Sequence, residues 1–115
     1  MQYMFLIYSA EGAGPEMGTP AFQEMMGRYM SFTDGVKQAG IFDSGAPLQG
    51  TDTATTVRVR DGSTNTTDGP FAETKEVLGG YYILDCKDLD EAIAHAAQIP
   101  TSEFGSVEVR PVMIF

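Results

Sequence analysis

The sequence predicts a single α+β domain in the order β-α-β-β-α-β with an added β-hairpin, and three features carry that reading. Two stretches keep helical spacing, one opened by Thr19 and closed at Gly40, the other opened by Asp88 and closed by Pro100. Around them lie short runs that are either apolar throughout or strictly alternating, the two signatures of strands. An Asp61-Gly62 pair joins two of those runs, and Asp-Gly tolerates the positive φ that a two-residue hairpin turn demands.

Tyr3 to Tyr8 is an unbroken apolar run crowded with aromatics and an isoleucine, which suits a central strand covered on both faces. Glu11 to Gly18 holds three glycines and a proline without any period, so it is a loop, either a lid over a site or a simple connection. Thr19 then offers an N-cap with Pro20 at the first helical position. Phe22, Met25, Met26, Tyr29, Met30 and Val36 recur at helical spacing up to Gly40. Ile41 to Leu48 reads as a strand bent at Gly45 to Pro47. Thr55 to Arg60 alternates, with Thr55, Val57 and Val59 on one face and a wet face opposite. Ser63 to Thr67 is the returning arm of the hairpin. Asp68-Gly69-Pro70-Phe71 breaks the chain again before Val77 to Asp85, an apolar strand whose Gly79 and Gly80 leave its backbone bare. Asp88 caps a second helix with Glu91 at N3, and Leu89, Ile93, Ala96 and Ala97 share its apolar face. Val107 to Phe115 closes the chain as a strand in which Pro111 requires an edge or a bulge.

This order is the split βαβ pattern of a ferredoxin-like domain. Two helices cover only one face of its sheet, so an apolar second face calls for a partner, and a face-to-face homodimer is the simplest. Composition limits the rest. The chain of 115 residues is one domain, and its formal charge of -9 removes the countercharge that nucleic-acid binding depends on. No run approaches a membrane span and no signal-peptide order opens the chain, so the expectation is a cytoplasmic protein with neither nucleic-acid nor membrane partners. One cysteine excludes an internal disulfide. Cys86 and His95 fall short of the four ligands of a structural zinc site, so neither metal nor cofactor is expected.

The run Asp68 to Glu76 (DGPFAETKE), followed by Leu78 to Asp85 (LGGYYILD), Asp88 to Ile93 (DLDEAI) and Val107 to Val112 (VEVRPV), resembles the YCII-related family in its DGPF-motif branch. The opening Tyr3 to Tyr8 resembles that family's first strand, and the likeness spans essentially the whole chain. The resemblance implies a ferredoxin-like fold paired through its sheets into a dimeric α/β barrel, with a cleft between sheet and helices. It supplies no reaction. Members of the YCII type carry a histidine and an aspartate proposed as a catalytic pair, the histidine in the first half of the chain. Here no histidine precedes His95, and that assignment does not carry over.

The densest ionisable cluster is Asp68, Glu73, Lys75 and Glu76, beside glycine and proline. Asp68, Lys75 and Glu76 are the candidate acid/base groups, because neighbouring opposite charges and partial burial separate pKa values. Arg28, Tyr29, Phe71 and Glu73 are the candidate substrate contacts, Arg28 as an anion anchor if it turns into the cleft. The plainer alternative has Asp68 bonding the backbone of its own turn, with the lysine and glutamates in solvent. His95 falls away from the Leu89/Ile93/Ala96 face and reads as exposed. Cys86 reads as a small buried hydrophobe. Met17, Met25, Met26 and Met30 with Phe22 and Phe32 are core filler or the wall of an apolar pocket. Two functions follow: a small-molecule enzyme working by metal-free acid/base chemistry in the sheet-helix cleft, or a non-catalytic ligand-binding or partner module with a regulatory role.

Overall fold

The computed structural model describes residues 1–115. The strands are β1 (Gln2–Ala10), β2 (Phe42–Pro47), β3 (Thr55–Arg60), β4 (Ser63–Asp68), β5 (Glu76–Asp85) and β6 (Ser106–Pro111), and the helices are α1 (Pro20–Gln38) and α2 (Leu89–Ala96). A wholly antiparallel four-stranded sheet runs β2-β5-β1-β6, and β3 with β4 forms a separate two-stranded arm. This is the ferredoxin-like arrangement with an inserted hairpin.

The helix boundaries follow local chemistry. The Thr19 hydroxyl accepts from the Phe22 N–H at 3.2 Å and Pro20 sits where its missing N–H costs nothing. The Asp88 carboxylate accepts from the Glu91 N–H at 2.9 Å and opens α2 in the same way. Gly40, at φ 75°, turns the chain out of α1 in a conformation that a side chain would oppose.

In β1, Tyr3, Phe5 and Ile7 face the helices and pack with Tyr82 and Leu84 of β5, Phe32 and Val36 of α1, Ala92 and Ala96 of α2, and Ile99. The Phe32 and Tyr82 rings meet edge to face, 5.2 Å between centroids. Met4, Leu6 and Tyr8 point to the opposite face, across from Ile83, Tyr81 and Leu78, and all six are half-buried. The unbroken apolar run of β1 therefore serves two faces, of which the helices close one.

Several boundaries and faces differ from the expectations. The last strand stops at Pro111 on edge strand β6, and Met113 to Phe115 continue as an exposed tail, because beyond the Tyr3–Pro111 pair only the Val112 N–H still bonds β1, at the Gln2 carbonyl. In β2 the irregularity falls at Asp43, between the Phe42–Leu84 and Ser44–Ile83 pairs, rather than at Gly45 to Pro47. On the arm, Val57 and Val59 are each 59% exposed, whereas Thr56 and Arg58 opposite are half-buried, so the apolar face of β3 is the wetter one. The arm makes the molecule broad and flat, with extents of 47 × 43 × 20 Å and a radius of gyration of 16.1 Å. A compact chain of this length would have a radius of about 13 Å. In α2 the buried stripe is Ala92 and Ala96 while Leu89 and Ile93 are exposed, because only alanine lets the helix approach the sheet this closely. No helix is long and apolar enough to cross a membrane.

Candidate functional site

A cavity of about 480 Å³ lies between the sheet and α1, lined along the helix from Phe22 to Lys37. Its floor is bare backbone at Gly45, Gly79 and Gly80, where the sheet offers no side chains to meet the helix. Two of these glycines sit in close quarters: a Cβ on Gly45 would stand 2.8 Å from the Tyr82 ring, and one on Gly80 would stand 3.1 Å from the Ala46 carbonyl oxygen. Phe22, Met25 and Met26 make an apolar wall, so these methionines line space rather than fill the core; Met26 also reaches solvent, and Met17 and Met30 are exposed. Below them Phe32 and Val36 close α1 onto the sheet. Ala13 and Pro15, from the glycine-rich loop, cover the mouth together with Phe104. Gly14, at φ 80°, lies against the Phe104 ring, where a Cβ would come within 2.6 Å.

The polar groups of the cavity stand on one row of α1. Tyr29, Thr33 and Lys37 follow one another at four-residue spacing and all line it, with Ser9, Tyr82 and Thr101 on facing elements. The Tyr29 hydroxyl shares a short hydrogen bond with Thr101 Oγ1, and Thr33 Oγ1 shares one of 2.7 Å with the Tyr82 hydroxyl. The Lys37 ammonium lies 5.0 Å from the centroid of the Phe42 ring. Burial pushes the Tyr29 phenol above its ordinary pKa, the bond from Thr101 opposing it, so the hydroxyl keeps its proton at neutral pH. Lys37 is the one charged residue of the lining, which contains no Asp, Glu or His.

Of the candidate acid/base and substrate-contact residues, Tyr29 lines this cavity and the others stand elsewhere. Arg28 turns to the outer side of α1 and forms a two-pronged pair with Glu103, its Nη1 to Oε1 distance 2.9 Å. That pairing raises the arginine's pKa and lowers that of Glu103. Asp68 ends β4 with its carboxylate exposed, and the turn is held without it. The Gly69 N–H donates to the Ala54 carbonyl at 2.7 Å, and Thr56 Oγ1 donates to the Gly69 carbonyl at 2.8 Å. Phe71 is 76% exposed, with its carbonyl accepting from Arg58, and Glu73 and Lys75 are exposed in the same connection. Glu76 begins β5 and accepts from Ser106 Oγ at 2.8 Å. The motif is thus the hinge from the arm into β5 within one copy.

Thr33, Lys37, Tyr82, Thr101 and Phe104 were not legible as site residues. The signal for two of them was present, since Tyr29, Thr33 and Lys37 form a polar row flanking the Phe22/Met25/Met26 stripe. His95, read as exposed, is half-buried: its side chain is 24% exposed and its Nε2 stands 3.8 Å from Glu91 Oε1. Cys86 is buried as expected, and its thiol lies in the same cluster.

A model of the YCII-related domain matches residues 1–115. An uncharacterized protein of Rhizobium meliloti (strain 1021) is 35% identical over 117 residues, which cover 100% of this chain and 94% of that one. Among solved structures, 5-chloro-2-hydroxyhydroquinone dehydrochlorinase from Burkholderia phenoliruptrix AC1100, in complex with 2,5-dihydroxybenzoquinone, superposes with a TM-score of 0.54. That match covers 98% of this chain and 94% of the other at 13% identity, a likeness of fold.

Proposed function

This chain belongs to the family of YCII-related domains, and from that premise we propose that its sheet-helix cavity takes a hydroxylated or quinone-type aromatic ring and transforms it by metal-free acid/base chemistry. The observation that carries this is the lining: an apolar wall of Phe22, Met25 and Met26 opposite a row of proton-bearing groups, Tyr29, Lys37 and the Thr33–Tyr82 pair. The volume falls in the range of small-molecule sites, roughly 300–1,000 Å³. A phenol held protonated and an ammonium suit an oxygen that gains negative charge, as the carbonyl of a cyclic dienone does when a ring C–H gives up its proton to a base and the ring becomes a phenolate. The ring bound in the solved dehydrochlorinase is of this class.

The cavity offers the acid side of such chemistry and lacks a carboxylate base. We assign the proton-accepting side to Asp68 and Glu76 of a second copy, with Lys75 tuning them and Glu73 and Phe71 contacting the ring from the same connection. The second copy pairs over the half-buried face of Met4, Leu6, Tyr8, Tyr81 and Ile83. Exposed apolar groups on the arm and tail, Val57, Val59, Met113 and Ile114, favour the same partner. A stable dimer at micromolar concentration, dissociated by Leu6→Lys, is the expected sedimentation result; a monomeric parent overturns the pairing.

The direct test of the cavity is titration with 2,5-dihydroxybenzoquinone. Tyr29→Phe and Lys37→Met should each weaken binding by about tenfold, the worth of one hydrogen bond to a charged oxygen. Asp68→Asn and Glu76→Gln should leave that affinity alone. Absence of saturable binding to the parent, or equal binding by the Tyr29→Phe and Lys37→Met variants, refutes the reading.

A further inference from the structure

Beyond the end of β5, away from the glycine floor of the cavity, three donors of different chemistry meet. Cys86 follows Asp85, and its N–H is fixed on the Met1 carbonyl at 2.8 Å. Glu91 and His95 stand one turn apart on α2, the helix that packs over this point. The Cys86 Sγ, a Glu91 carboxylate oxygen and a His95 ring nitrogen all lie within 4.8 Å of one another.

We propose that Cys86, Glu91 and His95 form a binding site for a single borderline divalent cation of the zinc type, with a fourth position left to water. Three arguments support it. The first is spacing: a tetrahedral ion bonded at about 2.0–2.3 Å sets such donors about 3.3–3.6 Å apart. The Glu91 to His95 separation of 3.8 Å is already near that value, and the remaining closure is within the side-chain freedom of two half-buried groups. The second is charge, because a thiolate and a carboxylate balance a dication and imidazole adds none. Asp88 and Asp90 beside the cluster add a negative potential that draws a cation in, while Asp85 is paired with the N-terminal ammonium at 2.7 Å. The third is softness, since a thiolate with an imidazole disfavours magnesium and calcium, which take all-oxygen sets.

The layout also gives an entry path. Cys86 is 1% exposed and forms the inner wall, whereas Glu91 and His95 are half-buried and keep part of their side chains at the surface on the outer side. On binding, the sulfur–metal bond forms as the S–H bond breaks, and the proton passes to solvent. Burial and the nearby Glu91 and Asp85 carboxylates hold the free thiol above its ordinary pKa, so in the absence of a cation it is a poor nucleophile. The three ligands lie within ten residues of one another in sequence, yet two come from a helix and one from the loop before it, a spacing no common zinc motif has.

The test uses the whole chain, stripped with a chelator and titrated with Zn2+ by calorimetry and with Co2+ by absorbance. One equivalent is expected to bind per chain, and the Co2+ form should show a thiolate-to-metal charge-transfer band with visible bands of four-coordinate intensity. Zn2+ should raise the melting temperature. His95→Gln, which keeps a polar side chain at this half-buried position, should weaken binding by roughly a hundredfold or more, since even groups one step removed from a metal are worth about 10–100-fold. Cys86→Ser should abolish the charge-transfer band. Absence of saturable binding, absence of that band, or affinity unchanged in His95→Gln would each overturn the site; in the last case the ion sits on surface carboxylates instead.

Discussion

The hydrogen bond between Tyr29 and Thr101 fastens α1 to the turn before β6 at the edge of the cavity, and its energetics are open to a double-mutant cycle. Thr101 is 7% exposed, so Tyr29→Phe leaves its hydroxyl desolvated and without this partner. The lost bond costs about 1 kcal/mol and the orphaned group about 1 kcal/mol more, for a total of about 2 kcal/mol. Thr101→Val removes the buried hydroxyl and leaves the Tyr29 phenol at the cavity, where water can reach it, a cost of about 1 kcal/mol. The double variant has neither polar group. It should therefore be about 1 kcal/mol more stable than Tyr29→Phe alone, a coupling of about 2 kcal/mol against the additive expectation of about 3. At roughly 4 °C per kcal/mol for a domain of this size, the Tyr29→Phe melting point falls by about 8 °C. Denaturant unfolding of the four proteins at one fixed concentration measures the cycle, since any self-association shifts apparent stability. Additive single effects would refute the reasoning, because independent losses mean the two hydroxyls do not satisfy each other.

Two further expectations rest on equally local causes. Because burial raises the folded-state pKa of Tyr29 above its unfolded value of about 10, its contribution to stability is complete below that pH and is lost as pH rises through the folded value. An alkaline unfolding series should show that loss in the parent and a smaller one in Tyr29→Phe; identical slopes would remove burial as the cause. Gly12 and Gly14 both sit at positive φ, at 77° and 80°, but only Gly14 lies against Phe104. Gly12→Ala should cost the backbone term alone, about 1–2 kcal/mol, and Gly14→Ala distinctly more by thermal melting; equal costs would show that the Phe104 contact does not hold the loop over the cavity.

The elements were legible because their signals are local. Thr19 with Pro20, Asp88 with Glu91, and Asp61-Gly62 each impose a backbone conformation through atoms within a few residues, and each stands where the pattern placed it. Faces were less legible. On α2, hydropathy favours Leu89 and Ile93, whereas close approach to the sheet selects Ala92 and Ala96, a packing constraint invisible in one helix taken alone. On β3, alternation identified the apolar side but not what would cover it. The site was hardest to read because its polar members sit on three elements far apart in sequence. Tyr29 meets Thr101 and Thr33 meets Tyr82 only after the sheet has closed. The charged motif drew attention by density, yet Thr56 and Arg58 hold its turn by the backbone carbonyls of Gly69 and Phe71, a scaffold role that needs no side chain from the motif.

Charge separates the cavity from the surface around it. The chain carries -9 overall, so an anionic ring approaching from solution is repelled, and that repulsion is screened beyond about 8 Å at physiological ionic strength. Inside the cavity the balance is reversed, with Lys37 as the one charge and the Tyr29 phenol kept neutral. A ligand that enters neutral and develops negative charge on an oxygen once bound avoids the first field and uses the second. An anionic ligand meets both, and added salt should speed its association while barely changing the contact with Lys37. Discrimination between the two ionisation states of one ring thus follows from where the few cations of an acidic protein are placed, and it favours reactions in which the charge is made inside the site.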